Sequence, residues 1–456
     1  MSDAVTILGG GCTGPLIGLM LARRRYPVRI YERRPDARRF ELPAGRSINL
    51  ALAARGIAAL ERAELMDQVR PLLLPMRGRT VHDLDGHARF LPYGQRPHEL
   101  IWSVSRAGLN EVLMNAAERA GVEFHFEHAC RGADFDKGLV EIEDLAGGHR
   151  FDIPMAPLIA ADGSGSALRG AMVAAGRATT REEPLAHRYK ELTIPPGPDG
   201  RHQLPLGALH IWPRGGFMLI ALPNLDGTFT ATLFLAAEGE ATSFASLADA
   251  TAVRALFETN FPDVRALIPD LEDQFASNPV GRMSTIYVSP WHVGGQALLV
   301  GDAAHAILPF HGQGMNCAFE DCSVFDDLLG EPVDWATRFA RFEAERRENT
   351  AAIARMAIEN YVEMRDTVRD PRFALQKDLS LELERRHPER FIPRYSMVTF
   401  HAEISYAEAE RRGGIQARIV DGATRGCASL DDVDLSRIEP EILTQLAPIS
   451  RALVPA

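Results

Sequence analysis

The sequence predicts an α/β domain of the Rossmann type, an antiparallel-sheet domain interleaved with it in the chain, and a helical C-terminal region. Three observations lead there. Val5–Leu8 reads as a short buried strand and runs directly into Gly9-Gly10-Gly11-Cys12-Thr13-Gly14, a G-x-G-x-x-G loop at Gly9, Gly11 and Gly14. Two further apolar strands end on acidic turns, one at Asp162-Gly163 and one at Gly301-Asp302. Between Tyr189 and Leu235 the pattern switches to strands joined by Pro, Gly and Asn turns, and after Trp335 to a helical period.

Composition narrows the function classes. At 456 residues the chain exceeds one simple core and calls for two or three structural units. A net charge of −11 argues against nucleic acid and against an anionic membrane surface. Cys12, Cys130, Cys317, Cys322 and Cys427 form neither a CxxC pair nor an even-numbered framework, which reads as thiols in a reducing compartment. The start, MSDAVTILGGG, lacks the basic and apolar regions of a signal peptide, and no window nears the ~18 apolar residues of a membrane span. The expectation is a cytoplasmic protein with no nucleic-acid partner and no membrane anchor, either monomer or homodimer.

In chain order, Leu16, Leu19, Met20 and Ala22 follow the glycine loop at helical spacing, and a second strand, Val28–Tyr31, ends on Glu32. That places an acid close to the ~20-residue separation at which it holds a ribose, while the glycines let a pyrophosphate approach the helix N-terminus. Arg46 and Asn49 sit in an extended apolar stretch and read as lining something. A hairpin is expected from Arg77–His82 and Phe90–Gly94 around Asp85-Gly86, in which Arg79 by itself reads as solvent-facing. Strand Ala297–Val300, the turn at Asp302 and the loop of Gly312, Gly314 and Asn316 lead into a helix, an arrangement that offers backbone N–H groups to an anion. In the C-terminal part Phe339, Phe342, Ile353, Met356 and Met364 share an apolar face with Asn360, which by spacing alone is a satisfied core amide. The pairs Arg346-Arg347, Arg385-Arg386 and Arg411-Arg412 read as solvated helix surface. No Ser/His/Asp arrangement, metal-ligand spacing or acid/base carboxylate pair stands out. The expected division is 1–75, 100–185 and 280–334 for the dinucleotide domain, 76–99 and 186–279 for the sheet domain, and 335–456 for the helical region.

The glycine loop at Gly9–Gly14, the Asp162-Gly163 turn and Gly301-Asp302-Ala303-Ala304-His305, in that order, resemble the FAD-dependent aromatic hydroxylases, the single-component flavoprotein monooxygenases. GRSINLAL at Gly45–Leu52, IWSVSR at Ile101–Arg106, YKELTIP at Tyr189–Pro195, LHIWPR at Leu209–Arg214, PFHGQGMN at Pro309–Asn316, ENYVEM and FIPRYSMVTF bring the resemblance closest to the branch that acts on L-kynurenine, over essentially the whole chain. The chain ends at Ala456 without the anchoring tail of fungal and animal members, which fits the soluble bacterial type. Three positions depart from the pattern: Cys12 inside the glycine loop, Arg188 in place of a glycine, and a light Asp162-Gly163-Ser164-Gly165-Ser166 turn.

The resemblance implies a Rossmann-type FAD domain of the glutathione-reductase and p-hydroxybenzoate-hydroxylase kind, with FAD bound tightly but non-covalently and NADPH and O2 as co-substrates. Its cofactor contacts map onto Gly9, Gly11, Gly14, Glu32, Arg33, Arg46, Leu50, Arg106, Asp162, Asp302, Pro309, Gly312, Gly314, Met315 and Asn316. For the substrate it implies Arg79 on the carboxylate, Tyr93, Tyr406 and Asn360 as polar contacts, and Phe234, Pro309, Phe310 and His311 as a wall for the ring. These assignments replace the plainer readings of Arg79 and Asn360 given above. His311 can be read as a base or simply as part of the wall. No catalytic side chain is assigned, because the flavin carries the chemistry. Two rival readings are a related hydroxylase for another aromatic amino acid or an anthranilate-like acid, and a non-catalytic protein that keeps the fold.

Overall fold

The computed structural model describes residues 4–39, 49–155, 157–239, 242–367 and 370–449, so Arg46 lies outside the described residues. The chain forms two compact units, each assembled from three stretches. The first runs to Leu73 and adds Val104–Leu185 and Met283–Ala354; the second takes Leu74–Ser103, Ala186–Arg282 and the chain from Arg355 onward.

In the first unit a six-stranded sheet has the order His292–Val293, Ala297–Leu299, Leu158–Ala160, Val5–Leu8, Val28–Glu32, Glu123–Phe126. All pairings are parallel except that of the edge strand His292–Val293. Val5, Ile7, Leu158, Ile159, Leu298 and Leu299 are fully buried, as a parallel sheet covered on both faces requires. Each such side chain contributes roughly 1.5–3 kcal/mol by leaving water. The consequence for function is positional: the glycine loop, Asp162 and Asp302 all follow the carboxyl ends of adjacent parallel strands, where open α/β sheets bind ligands. A three-stranded antiparallel sheet, Leu139–Asp144 between His128–Asp134 and His149–Pro154, also belongs to this unit.

The second unit is built on a seven-stranded sheet: Val280–Gly281, His187–Ile194, Phe229–Ala236, Met218–Pro223, Ala208–Pro213, Gly78–His82, Ala88–Pro92. Its single parallel pairing sets Leu209 opposite Arg79 and His210 opposite Thr80, where the early hairpin joins strands from far along the chain. Trp212, Phe229 and Leu233 on the sheet pack with Phe257, Phe261 and Phe275 from the helices Ala250–Asn260, Pro262–Leu267 and Leu271–Ser277. A separate apolar core, centred on Leu379, Leu383, Phe391 and Ile442, holds the C-terminal helices together.

Two residues of the arginine pairs overturn the expectation of solvated surface. Arg346 and Arg412 are each 2% exposed, whereas Arg347, Arg385, Arg386 and Arg411 do face water. Arg412 donates from one terminal nitrogen to the carbonyls of Arg390 and Ala447, at 2.5 and 2.9 Å, and Arg346 meets two carboxylates described below. Charge runs do not reveal which member of a pair meets buried acceptors from a distant segment.

Candidate functional site

Within the first unit the glycine loop, Glu32, Asp162, Asp302 and the Gly312–Asn316 loop gather at the carboxyl ends of the parallel strands. Gly9 has φ +99°, and a Cβ there would overlap the Ala161 carbonyl at the Asp162 turn. A Cβ on Gly14 would overlap the Gly9 carbonyl, so the loop closes only with glycine at both positions. Gly11 is different: a Cβ there meets nothing within 4 Å, which leaves the backbone open to a ligand. Glu32 is buried at the end of its strand and accepts from the Gly10 N–H at 2.6 Å and from Arg34 at 2.8 Å. Burial opposes its charge, but Arg34 and the two backbone donors outweigh it and hold the carboxyl below its ordinary value. Arg34 is the arginine that pairs with Glu32, and the expected cofactor contact Arg33 is, like Arg34, exposed.

Asp302 opens the short helix Asp302–His305 and reaches solvent, yet desolvation raises its pKa, the signature of a carboxylate on the floor of a concavity. The charge of Arg106, at the start of helix Arg106–Arg119, acts on both Asp302 and Cys12, which ties three separate segments to the same recess. Desolvation likewise raises Asp162, whose Oδ1 is buried with no hydrogen-bond partner among the described residues. Helix Gly314–Leu329 starts here too, and its first-turn N–H groups at Gly314, Met315 and Asn316 lack partners within the helix. Gly312 stands just before it at φ +67°. The Asn316 side chain fastens the loop instead of facing outward: it donates to the carbonyls of Ala51 and Gly312, both at 2.8 Å, and accepts from the Ala53 N–H at 2.9 Å. That holds the half-buried Leu50 strand, Asn49–Leu52, against the helix. An open glycine cradle, an unsatisfied buried acceptor and an array of N–H groups fit a dinucleotide with sugar hydroxyls and an anionic pyrophosphate.

Behind the recess lies a buried charge network that the sequence reading missed. Asp321 is fully buried; its Oδ2 accepts from the Gly301 N–H at 3.0 Å and from His305 at 2.7 Å, and its Oδ1 from Arg346 at 2.7 Å. Arg346 also pairs with Glu320 at 2.5 Å, and Glu320 with Arg55 at 3.0 Å. Desolvation opposes the charge of Asp321, but His305 and Arg346 win and hold it below its ordinary value. His305, Cys317 and Asp321 are close enough to hold a metal, the one such group among the described residues. The Arg346 guanidinium already supplies the cation there, 3.4 Å from the Cys317 sulfur. The network's effect is on the turn: it clamps Gly301, at φ +57°, and so aims Asp302.

The second unit carries a different construction. Arg79 is buried on strand Gly78–His82, with its guanidinium 4.9 Å from the Tyr395 ring centre and 5.7 Å from that of Tyr93. The two tyrosines stack at 5.4 Å and 14°. Glu363 accepts from Arg79 at 3.1 Å. Burial opposes the Arg79 charge, yet the two phenols and Glu363 raise its pKa, so it stays cationic. Desolvation pushes both phenols up, so they stay protonated donors. Asn360 is buried one helical turn before Glu363 and reaches the Met364 sulfur at 3.4 Å. Burial and then the charge of Arg79 pull the Lys377 ammonium down to about 8.

The tyrosine brought to Arg79 and Tyr93 is therefore Tyr395; Tyr406 is fully buried at the start of helix Tyr406–Ala423. Both Tyr395 and Glu363 had a signal. Tyr395 lies in FIPRYSMVTF, and Glu363 follows Asn360 by three residues, on the same helical face. Phe234 is buried in the sheet with its ring 6.5 Å from Tyr189. In the first unit Pro309 is exposed while Phe310 and His311 are buried in the single turn Pro309–His311.

A family described as an FAD binding domain matches residues 2–357. The kynurenine 3-monooxygenase of Xanthomonas axonopodis pv. citri is 47% identical over 449 residues, covering 98% of both chains. That of Stenotrophomonas maltophilia is 46% identical over 99% of both. That of Myxococcus xanthus is 45% identical over 98% of this chain and 97% of its own. Among solved structures, 2-methyl-3-hydroxypyridine-5-carboxylic acid oxygenase superposes with a TM-score of 0.65 at 18% identity, covering 81% of this chain and 94% of that one. A probable FAD-dependent monooxygenase of Pseudomonas aeruginosa gives 0.62 at 19%, covering 80% and 96%. At that identity the two structures speak for the fold.

Proposed function

The chain belongs to the kynurenine 3-monooxygenase family, among the flavoproteins with this FAD-binding domain, and from that premise we propose that it hydroxylates L-kynurenine to 3-hydroxy-L-kynurenine. NADPH supplies two electrons, one atom of O2 enters the ring beside the amino group, and the other leaves as water. FAD, when bound, takes up the reducing electrons and activates O2. The first unit would hold it through Gly9, Gly11, Gly14, Glu32, Arg106, Asp162, Asp302, Gly312, Gly314 and Met315.

The observation that carries the substrate assignment is the buried Arg79 beside two stacked, protonated phenols, with Glu363 as its carboxylate partner among the described residues. Such an arrangement suits a zwitterion. A carboxylate takes the guanidinium in bidentate fashion with hydrogen bonds from Tyr93 and Tyr395, and the α-ammonium takes Glu363. Asn360 adds a contact from the same helix. Phe234 is read as part of the wall that orients the ring and keeps out water, since uncoupled oxygen chemistry yields H2O2. Work in the cytoplasm is supported by five free thiols. No helix among the described residues is long and apolar enough to cross a membrane.

The test is NADPH oxidation by purified protein with and without L-kynurenine, with 3-hydroxykynurenine assayed in the same tube. Stimulated oxidation matched by product is the expected result. Stimulation that yields only H2O2 assigns the site to another aromatic amino acid, and no stimulation overturns the reading.

A further inference from the structure

Residues 93–100, between strands Ala88–Pro92 and Ile101–Ser105, form neither helix nor strand, yet they begin with Tyr93. Tyr93 itself extends the hairpin, its N–H donating to the Arg77 carbonyl at 3.0 Å, and the seven residues that follow it need outside partners to hold that end in place. Helix Pro371–Arg386 provides them from one stripe, Lys377, Leu381 and Glu384, spaced four and three residues apart. Lys377 donates to the Pro92 carbonyl at 2.7 Å. Gln95 donates to the Leu381 carbonyl at 2.9 Å and to Glu384 at 3.0 Å. Arg96 donates to Glu384 at 2.9 Å and also pairs with Glu99. Glu99 in turn accepts the N–H groups of Gln95 and Arg96, at 2.7 and 2.9 Å. The side chains of Glu99 and Glu384 are each 1% exposed, so one guanidinium bridges two desolvated carboxylates. A Cβ on Gly94 would overlap the Glu99 carboxylate, so the segment is shaped for this closure.

We propose that Glu384 and Arg96 are positioning residues: they strap residues 93–100 to the helix and so hold Tyr93 where it meets the amino-acid end of the substrate. This rests on the assignment of Arg79 and Tyr93 to that end. Neither Glu384 nor Arg96 touches substrate; they act through Tyr93. The strap governs specificity, because only a ligand with a carboxylate gains from an ordered Tyr93.

The experiment is a double-mutant cycle of Glu384→Ala and Tyr93→Phe on the FAD-loaded enzyme, reading KM and kcat for L-kynurenine and the Kd of 2-aminoacetophenone, which lacks the amino-acid half. Glu384→Ala is expected to raise the KM for L-kynurenine on the order of tenfold, with kcat, FAD content and the 2-aminoacetophenone Kd unchanged. In the Glu384→Ala background Tyr93→Phe should add little. Glu384→Gln, which keeps the shape, should recover part of the loss and serves if the alanine variant fails to fold. If Tyr93→Phe alone leaves KM unchanged, the underlying assignment fails. If Tyr93→Phe raises KM but the two effects multiply independently, or Glu384→Ala weakens 2-aminoacetophenone equally, the strap proposal is overturned.

Discussion

The cofactor recess of the first unit and the arginine–tyrosine pole of the second are built from opposite materials. The recess is made by backbone: glycines at Gly9, Gly11, Gly14 and Gly312, strand ends, and the first turn of helix Gly314–Leu329. The pole is made by side chains drawn from strand Gly78–His82, helix Trp335–Arg365 and helix Arg394–Phe400. A backbone site tolerates change behind it only if its turns stay fixed. A side-chain site can lose one group and keep its fold. The difference teaches where each will fail.

The largest effect is expected at Asp321. Replacing it by alanine strips Gly301, His305 and Arg346 of a common acceptor and leaves the buried Arg346 with Glu320 as its remaining carboxylate. Breaking a buried pair in this way costs about 3–5 kcal/mol. Denaturant unfolding should show that loss, and FAD titration of the variant should show weaker binding, while KM for L-kynurenine at saturating FAD stays near wild type. A variant with normal FAD affinity would mean that the Gly301 turn does not need its clamp.

A smaller effect, in the second unit, is a dependence on pH. In the second unit His82 bonds His210 at 2.9 Å, stacks on Trp212 and faces Asp263, with Arg214 donating to its carbonyl. Desolvation, and then His210, lowers His82 to about 4. Its folded pKa lies below the unfolded value of 6.5, so the unfolded chain binds the proton first. Stability tied to this pair is complete above pH 6.5 and declines until about pH 4, by roughly 3 kcal/mol at most. The lowered carboxylates of the first unit, Glu32 and Asp321, keep their contribution until the pH drops below their ordinary range near 4. Unfolding free energies between pH 7 and 4 should therefore decline in wild type and decline less in His82→Gln. An unchanged slope in the variant would remove the histidine pair from the account.

The same contrast explains what the sequence reveals. The recess was legible because its determinants are local: G-x-G-x-x-G spacing, an acid after the second strand, and Asp-Gly turns after apolar runs. The pole was not, because Arg79 in a hairpin and Asn360 on a helix each look ordinary until residues almost three hundred positions apart meet. Resemblance supplied Arg79 and Tyr93, but the tyrosine found beside them is Tyr395, eleven residues before the expected Tyr406. Arg346 and Arg412 were misread for the same reason, since their acceptors lie elsewhere in the chain. Burial of a charged side chain depends on a partner that no local pattern names.

The central claim is that cofactor and substrate are held by separate constructions, and Arg79→Ala tests it most directly, with FAD stoichiometry and the KM for L-kynurenine measured on one preparation. Loss of one partner from a desolvated charge pair costs on the order of 2–5 kcal/mol. The account predicts full FAD content with KM raised about 30-fold or more. Loss of the flavin, or an unchanged KM, would contradict it.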